Sequence, residues 1–338
     1  MAGDSPAVSV VMPVRDGEAH LDEAMDSLVA QTFGDFEVIA VDDGSTDGTA
    51  ARLERWTSRD ERIRVITSDA VGIVRALERG RHEARGRFLA RMDADDIADP
   101  RRFALQYGFL ESNPHVSGCG CGVRYFPEEQ VRDGARRYES WINGVRSPSD
   151  VKRAIWVECP IAHPAFFLRA EVVSDVGGYQ DVGWPEDYDL ILRMHAAGHA
   201  LANVPEVLHA WREGEGRLSR TDVRYAPEAF LRCRVHYLRA GPLADGRPVV
   251  VWGAGPVGKS FARALQAQGT QVTAFVDLDP RKIGQEIHGA PVLDTVRGLE
   301  LRGPLHAAAV GQPGARARIE ALLEGGGMAA GEDFVAVA

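Results

Sequence analysis

Near its amino terminus the chain reads Phe36-Glu37-Val38-Ile39-Ala40-Val41-Asp42-Asp43-Gly44-Ser45-Thr46-Asp47. The first six residues are mostly apolar, so they predict a buried strand, and the acidic, glycine-containing run after them predicts a turn. The earlier apolar run Val8–Val14 also predicts a strand, and residues 18–31 between the two have apolar side chains at helical spacing. Strand, helix and strand in this order form a βαβ unit, which indicates an open, mostly parallel α/β sheet with helices on both faces.

The alternation continues downstream. Helices are predicted at residues 46–57 and 73–84, and strands at 62–67 and 87–92. A second acidic run, Asp93-Ala94-Asp95-Asp96, follows the last of these strands. Both acidic runs therefore lie at the carboxyl ends of strands, where open α/β sheets bind their ligands. Residues 119–159 lack a clear period and predict irregular structure.

The size of the chain predicts two domains. Its 338 residues exceed the usual single core, and a hydrophobic content of 45% supports well-buried interiors. Residues 241–248 contain two glycines and two prolines and predict a linker, after a helix at 226–239. The predicted domains are therefore residues 1–240 and 249–338.

Charge and composition exclude several classes of partner. The formal charge of -10, from 49 acidic and 39 basic residues, argues against binding to nucleic acid or to an anionic lipid surface. No apolar run approaches the roughly 18 residues needed to span a bilayer, and the amino terminus lacks a basic, signal-like start. We therefore expect a cytoplasmic protein without a transmembrane segment. Its four cysteines are too few for a disulfide framework and predict reduced thiols.

Two interpretations fit the first acidic run about equally well. Ser45, Thr46 and Asp47 are typical residues for capping the helix that follows. A cap does not require Asp42 and Asp43 as well, and a carboxylate at a strand tip can accept a hydrogen bond from a ring N–H of a nucleobase. The alternatives are therefore a helix cap and a nucleobase pocket.

The second acidic run favours a divalent cation. Three carboxylates within four residues repel one another unless a cation or a hydrogen-bonded ligand compensates. Hard carboxylate oxygens suit Mg²⁺ or Mn²⁺, whose remaining positions can take diphosphate oxygens. The alternative is a solvated acidic turn that ends at Asp99-Pro100.

A third acidic run, Glu186-Asp187-Tyr188-Asp189, opens a predicted helix. Acidic residues in a first helical turn often only stabilise the helix dipole. The functional alternative is a general base, because a hydroxyl group that attacks a carbon centre must lose its proton.

These runs, together with Val10-Val11-Met12-Pro13-Val14 and Gly177-Gly178-Tyr179, occur in an order and spacing that resemble family 2 glycosyltransferases of the GT-A fold. The resemblance covers roughly residues 6–220. It implies an inverting transfer of a sugar from a nucleotide-sugar donor, a UDP-sugar being favoured, to a hydroxyl group of a glycan, lipid-linked or small-molecule acceptor. It further implies a pathway of bacterial polysaccharide or glycoconjugate biosynthesis, and residues 119–159 are then expected to face the acceptor.

The same resemblance implies a role for individual residues. Asp187 is the preferred general base, with Glu186 as its neighbour or substitute. His163 has either an active-site or a structural role, and Glu78 stands where relatives often have asparagine, which leaves the donor contacts of residues 72–80 open. The implied donor-binding residues are Pro13, Val14, Asp42, Asp43, Asp93, Arg212 and Ser219, and the implied metal ligands are Asp95, as the main one, and Asp93.

The segment from Val249 to Ser260 fits two nucleotide-binding patterns, GxGxxG and the P-loop pattern GxxxxGK[ST]. A P-loop needs a larger domain and a further acidic strand, whereas Asp277 follows the glycines at the roughly 20-residue spacing typical of Rossmann domains. Gly253, Gly255, Gly258 and Asp277 are therefore candidates for binding a dinucleotide. The segment resembles small Rossmann-like domains on bacterial polysaccharide-biosynthesis enzymes. The alternatives for this domain are that it binds NAD, a nucleotide sugar or nothing, and that it regulates the enzyme or pairs subunits into oligomers.

Two further hypotheses compete with a glycosyltransferase. One is a nicotinamide-dependent oxidoreductase centred on the carboxyl-terminal glycines, although no Tyr-x-x-x-Lys set follows them. The other is a nucleotide-sugar-binding scaffold without activity, which the intact acids at three separate runs argue against.

Overall fold

The computed structural model describes residues 5–214 and 216–338, and the chain forms two compact units. The first unit comprises Met1–Val151 and Pro160–Thr221, and the second comprises Lys152–Cys159 and Asp222–Ala338. The boundary between the two units thus lies at residues 221–222, before residues 241–248. The role of residues 241–248 as a linker stays a prediction.

The chain up to residue 221 alternates strands and helices, as the sequence predicts for its first part. The strands are β1 (Val8–Val14), β2 (Phe36–Asp42), β3 (Ile63–Thr67), β4 (Phe88–Arg91), β5 (Ile97–Ala98), β6 (Val116–Phe126), β7 (Phe167–Arg169) and β8 (Ala200–Arg212). The helices are α1 (Leu21–Val29), α2 (Thr49–Arg59), α3 (Ile73–Glu83), α4 (Arg102–Ser112), α5 (Asp133–Ile142), α6 (Pro148–Ala154), α7 (Ala170–Asp175), α8 (Glu186–Ala196) and α9 (Leu218–Thr221).

The strands up to residue 212 form one sheet in the order β3-β2-β1-β4-β7-β6-β8-β5. The pairs β1–β2, β2–β3, β1–β4 and β6–β8 are parallel, so the predicted mostly parallel α/β sheet is confirmed. Strand β1 lies between β2 and β4, so the strand order reverses there. Ligands of open α/β sheets bind at such a reversal, beyond the carboxyl ends of the strands.

Strand β6 corrects the prediction of irregular structure after residue 119. It is almost wholly buried and pairs with both β7 and β8. Glycine is unfavourable in strands. Because β6 contains Gly118, Gly120 and Gly122 at alternate positions, its sequence does not predict a strand. A Cβ atom at Gly118 would lie 2.3 Å from the Leu168 side chain, and one at Gly120 would lie 2.3 Å from the Asn203 side chain. The glycines therefore permit close packing in the middle of the sheet.

The second unit contains a smaller sheet in the order β11-β12-β10-β9-β13-β14, which confirms the predicted Rossmann-like α/β domain. All its named strand pairs are parallel except β11–β12. Its strands are β9 (Val249–Trp252), β10 (Val272–Val276), β11 (Glu286–Ile287), β12 (Ala290–Leu293), β13 (Leu305–Ala308) and β14 (Phe334–Ala336), and its helices are α10 (Pro227–Ala240), α11 (Pro256–Ala267), α12 (Thr295–Glu300) and α13 (Ala315–Gly325).

All four cysteines are buried free thiols, as the sequence predicts. Cys119 and Cys121 lie in β6, whereas Cys159 and Cys233 belong to the second unit. Burial raises the pKa of Cys121 to about 11 and that of Cys119 well above its ordinary value. Thiolates are the reactive form, so these two thiols are unreactive in the folded protein.

The helices of the two described ranges, 5–214 and 216–338, include none long and apolar enough to cross a bilayer.

Candidate active site

The loops that follow β1 and β2 hold one another through reciprocal hydrogen bonds. The Asp16 carboxylate accepts a bond of 2.7 Å from the Thr46 backbone N–H, and the Asp16 N–H donates to Ser45 Oγ. Glu18 and the Asp47–Gly48 segment exchange bonds in the same way. Gly48 lies at the N-cap of α2 without a side-chain cap, so neither Ser45 nor Thr46 caps this helix as predicted. Asp47 accepts a bond from the N–H of Thr49, the first residue of α2, and also joins the two loops.

Asp42 and Asp43 differ in the number of hydrogen bonds that their carboxylates accept. Asp43 accepts bonds from Ser68 Oγ and from the N–H groups of Val71 and Gly72, so it anchors the loop before α3. Asp42 accepts one bond, from the Ser45 N–H, through Oδ1. Among the described residues, Oδ2 of Asp42 therefore keeps its capacity to accept a bond from a ligand. Pro13 and Val14 end the neighbouring strand β1, where Val14 pairs with Asp42.

The second acidic run forms a compact cluster beyond the carboxyl end of β4. Asp93, Asp95 and Asp96 each place one carboxylate oxygen within 4.8 Å of the others. Burial, followed by the charges of Asp93 and Asp96, raises the pKa of Asp95 to about 7. Three carboxylate oxygens at this spacing fit a hard divalent cation, which would relieve their repulsion. Asp95 and Asp93 are the residues that would hold it.

A buried polar chain fixes the position of Asp96. His209 Nε2 lies 2.7 Å from Asp96 Oδ2, and His209 Nδ1 lies 3.1 Å from an Nη atom of Arg102. Arginine only donates, so Nδ1 accepts and the imidazole proton resides on Nε2, which donates to Asp96. Burial and Arg102 lower the pKa of His209 well below its ordinary value, in keeping with this neutral form. Asp96 is thus a structural member of the cluster.

Arg212 and Ser219, two of the implied donor-binding residues, lie in different surroundings. Arg212 bonds to the Asp95 carbonyl oxygen, pairs with Glu23 and lies over the Phe126 ring. Ser219 is exposed on the short helix α9. Arg217 lies over the rings of Trp211 and Tyr125, at 4.6 and 5.4 Å. Burial raises the pKa of both Asp95 and Asp96, and the positive charge of Arg217 offsets part of that rise. Arg217 is therefore the cation whose charge acts on the acidic cluster from this segment.

The third acidic run separates into one accessible and two buried acids. Glu186 and Asp189 are buried, whereas Asp187 is partly exposed in the first turn of α8. Asp189 accepts bonds of 2.8 Å from Trp184 Nε1 and from Arg193 Nε. Arg193 also donates to the Gly178 carbonyl oxygen, so Asp189 ties α8 to the preceding glycine turn. Of the three acids, Asp187 is the one with access to a ligand.

Glu78, the departure from the family pattern, has a structural role. Its carboxylate accepts a 2.5 Å bond from the Tyr179 backbone N–H and pairs with Arg81 at 2.9 Å. A Cβ atom at Gly178 would lie 2.3 Å from the Glu78 carboxylate, so glycine is needed for this approach. Glu78 thus fastens α3 to the turn of Gly177-Gly178-Tyr179.

Replacing Glu78 by alanine is expected to lower the free energy of unfolding by about 1–3 kcal/mol, because the Tyr179 N–H and the Arg81 guanidinium lose a shared acceptor. Urea denaturation followed by tryptophan fluorescence measures the effect. Glu83→Ala on the same helix is the matched control, since the Glu83 side chain is 57% exposed and pairs, within the described part of the chain, with Arg64 alone at 3.7 Å. Equal effects of the two changes would contradict the role assigned to Glu78.

Sequence reasoning missed Arg102 and His209. A signal existed for the first, because Arg102 stands at helical spacing before Gln106 and Leu110 and so falls on the face of α4 that is buried. His209 gave no local signal, since its partner Asp96 is 113 residues away along the chain.

In the second unit, Asp277, which follows β10, holds the glycine-rich turn after β9 through a hydrogen bond. Asp277 accepts bonds from the Ala254 N–H, the Asp279 N–H and Lys282 Nζ. Gly253 has φ of +118°, and a Cβ atom at Gly258 would lie 1.8 Å from the Gly253 carbonyl oxygen, so both glycines are required by the turn. A Cβ atom at Gly255 would meet nothing, so the fold does not explain that glycine.

Two segments of the chain match known families. Residues 9–177 match the model described as "Glycosyl transferase family 2", and residues 245–329 match "CoA binding domain". The chain is 31% identical to "Putative glycosyltransferase EpsE" of Bacillus subtilis, over 65% of this chain and 78% of that protein. It is 30% identical to "Amylovoran biosynthesis glycosyltransferase AmsE" of Erwinia amylovora, over 60% and 73%. An "Uncharacterized glycosyltransferase" of Haemophilus influenzae is 31% identical over 61% of this chain and 65% of its own length.

Two solved structures share the fold. TarS 1-349 of S. aureus in complex with UDP-GlcNAc has a TM-score of 0.56 at 19% identity, covering 69% of this chain and 66% of that chain. The mannosyltransferase PcManGT from Pyrobaculum calidifontis, in complex with GDP-Man and Mn2+, has a TM-score of 0.52 at 20% identity, covering 79% and 70%.

Proposed function

The chain belongs to glycosyl transferase family 2, and from this premise we propose that it moves a sugar from a UDP-sugar to a hydroxyl group of an acceptor, with inversion at the sugar carbon. The observation that carries the proposal is the cluster of Asp93, Asp95 and Asp96 beyond the end of β4, beside the strand-order reversal at β1. Asp42 ends β2, which is separated from β4 by β1, and one of its carboxylate oxygens is available to a nucleobase.

The donor is proposed to lie across the strand tips. Pro13 and Val14 flank the base, and Asp42 accepts a bond from its ring N–H, while Asp43 supports the pocket by holding the loop at Val71 and Gly72. Asp95, with Asp93, would hold Mn²⁺ or Mg²⁺, which when bound neutralises charge on the diphosphate. Arg217 adds a fixed positive charge near the same acids, and Arg212 and Ser219 remain proposals for the donor phosphates.

The chemical step needs a base on the acceptor side. Asp187 takes the proton of the acceptor hydroxyl as its oxygen forms a bond to the anomeric carbon. The bond from that carbon to the diphosphate oxygen breaks, and its electron pair leaves with the nucleotide. The partly exposed position of Asp187, compared with the buried Glu186, supports this assignment.

The pathway and acceptor are proposed from the relatives. One of them is named for amylovoran biosynthesis and another, of Escherichia coli, for O-antigen biosynthesis. We therefore propose that this chain acts in bacterial polysaccharide or glycoconjugate assembly, on a glycan or lipid-linked acceptor.

We propose no second activity for the carboxyl-terminal unit. Asp277 Oδ2 accepts from Lys282 Nζ and the Ala254 N–H, and Oδ1 accepts from the Asp279 N–H, so this acid holds its own turn together. No Tyr-x-x-x-Lys set follows the glycines, which argues against the nicotinamide-dependent alternative. A nucleotide at Gly253, Gly255 and Gly258, and a role in pairing subunits, remain proposals for this unit.

The proposed activity is tested without knowledge of the acceptor. UDP-N-acetylglucosamine, UDP-glucose, UDP-galactose and GDP-mannose are each added with Mn²⁺, and thermal stabilisation and slow nucleotide release to water are measured. We expect one UDP-sugar to raise the melting temperature and to release UDP, because a ligand that binds only the folded state stabilises it. EDTA is the control. Stabilisation by GDP-mannose alone would overturn the UDP assignment, and the absence of any response to the panel would overturn the proposed function.

A further inference from the structure

A buried group of polar side chains lies between the acidic cluster and the first turn of α8. His163 is its centre and is only 8% exposed. His163 Nε2 lies 3.2 Å from Tyr179 Oη, and His163 Nδ1 lies 3.6 Å from Glu186 Oε1. The Glu186 side chain has no exposed surface, and it immediately precedes Asp187.

A positive charge borders this group on the other side. Arg91 ends β4, its side chain is 5% exposed, and it pairs with Asp93. Its Nε–H has no hydrogen-bond acceptor among the described residues. Burial and the Arg91 charge both lower the pKa of His163 well below its ordinary value. His163 is therefore a neutral imidazole with a single N–H.

The two neighbours of His163 determine which nitrogen carries this proton. Glu186, as a carboxylate, only accepts hydrogen bonds, whereas the Tyr179 hydroxyl can donate or accept. Both contacts are favourable when Tyr179 donates to Nε2 and the Nδ1–H points to Glu186. The opposite tautomer would set the Nδ1 lone pair against the carboxylate.

The turn that carries Tyr179 is itself fixed. Gly177 and Gly178 have φ of +86° and +63°, and Glu78 accepts the Tyr179 backbone N–H. The hydroxyl of Tyr179 is therefore presented to His163 by a rigid turn, and not by a mobile side chain on the surface.

We propose that His163 is a positioning residue, held in its Nδ1–H form by Tyr179, and that it acts through Glu186 to fix the turn from which Asp187 reaches the acceptor. This inference rests on the proposed function. In this proposal His163 acts through Glu186 and not directly on the donor or the acceptor. Its loss should lower the turnover number and leave the donor KM unchanged.

The two nitrogens of imidazole can be tested separately, because asparagine places an amide N–H near the Nδ1 position and glutamine places one near Nε2. The assay is the Mn²⁺-supported nucleotide release of the panel donor that the wild-type protein hydrolyses fastest. We expect His163→Gln to lower kcat about 10–100-fold, as losses of orienting partners commonly do, and His163→Asn to retain most of it. Tyr179→Phe, which removes only the hydroxyl, should lower kcat about tenfold on the same grounds.

His199→Asn is the matched control, since His199 Nδ1 also lies 3.0 Å from a hydroxyl, that of Ser117. We expect this variant to keep wild-type kcat. Equal losses in the asparagine and glutamine variants would overturn the proposal, as would a Tyr179→Phe variant that raises the donor KM and keeps kcat. Melting temperatures identify a variant that fails to fold. If a His163 variant does not fold, the kcat of Tyr179→Phe, which retains the ring, tests the proposal. A wild-type protein that releases no nucleotide removes the premise and the proposal with it.

Discussion

Replacement of Asp95 by asparagine is expected to lower Mn²⁺-supported nucleotide release about 10²–10³-fold, the usual effect of removing one electrostatic contact to a developing charge. The amide keeps the shape of the side chain and loses the negative charge that the proposed metal site needs. Initial rates at saturating Mn²⁺ measure the loss, and titration of free Mn²⁺ by electron paramagnetic resonance measures binding.

Asp35→Asn provides the control for this experiment, because Asp35 is an exposed acid of the same unit in the turn before β2. It should bind Mn²⁺ and release nucleotide like the wild-type protein. Unchanged release by Asp95→Asn at saturating Mn²⁺ would show that the metal is not held by Asp95.

Asp95→Asn should also stabilise the metal-free protein, by about 1–2 kcal/mol, as relief of a strained active site commonly does. The folded-state pKa of Asp95 is about 7, above the ordinary value of 3.8, so the folded state binds its proton more tightly. Stability is therefore lost as the pH rises from about 4 to about 7, and the loss is complete above that range. In EDTA, the variant should melt at a higher temperature than the wild-type protein at pH 8, and the difference should shrink at pH 5.

Replacement of Asp187 by asparagine is expected to lower kcat about 10²–10⁴-fold, the range typical for loss of a general base. The donor KM should not change, because Asp187 lies in the first turn of α8 and not among the strand tips proposed to hold the nucleotide. Steady-state nucleotide release, measured over a range of donor concentrations, separates the two parameters.

Asp175→Asn at the end of α7 is the matched control, since this acid is exposed and belongs to the same unit. Wild-type kcat in Asp187→Asn would assign the base elsewhere. A parallel loss of donor stabilisation in the thermal assay would instead indicate a donor-binding residue.

The strand tips of the donor region were predictable because their signals are local. Val14, Asp42 and Asp93 each end or follow a short apolar run, and the alternation of strands and helices predicts that such ends lie on one edge of the sheet. The structure confirms the mostly parallel sheet and brings Asp93 together with Asp95 and Asp96. The roles of these residues stay proposals.

The supporting side chains were not predictable, because their partners are distant along the chain. Glu78 contacts Tyr179 across 101 residues, and His209 contacts Asp96 across 113. Nothing in the neighbouring sequence distinguishes such a residue from an ordinary surface glutamate or a core histidine. Strand β6 escaped prediction for another reason, since its glycines follow from tight packing between strands and not from backbone preference.

The four buried thiols allow the opening of each compact unit to be measured by chemical labelling. Cys119 and Cys121 lie in one compact unit and Cys159 and Cys233 in the other, two in each. A thiol-reactive dye that is excluded from the folded interior can enter only where a unit opens, so each unit that has opened adds two dyes per molecule. Peptide mapping of the dye then tells which half of the molecule loosens first, without any engineered label.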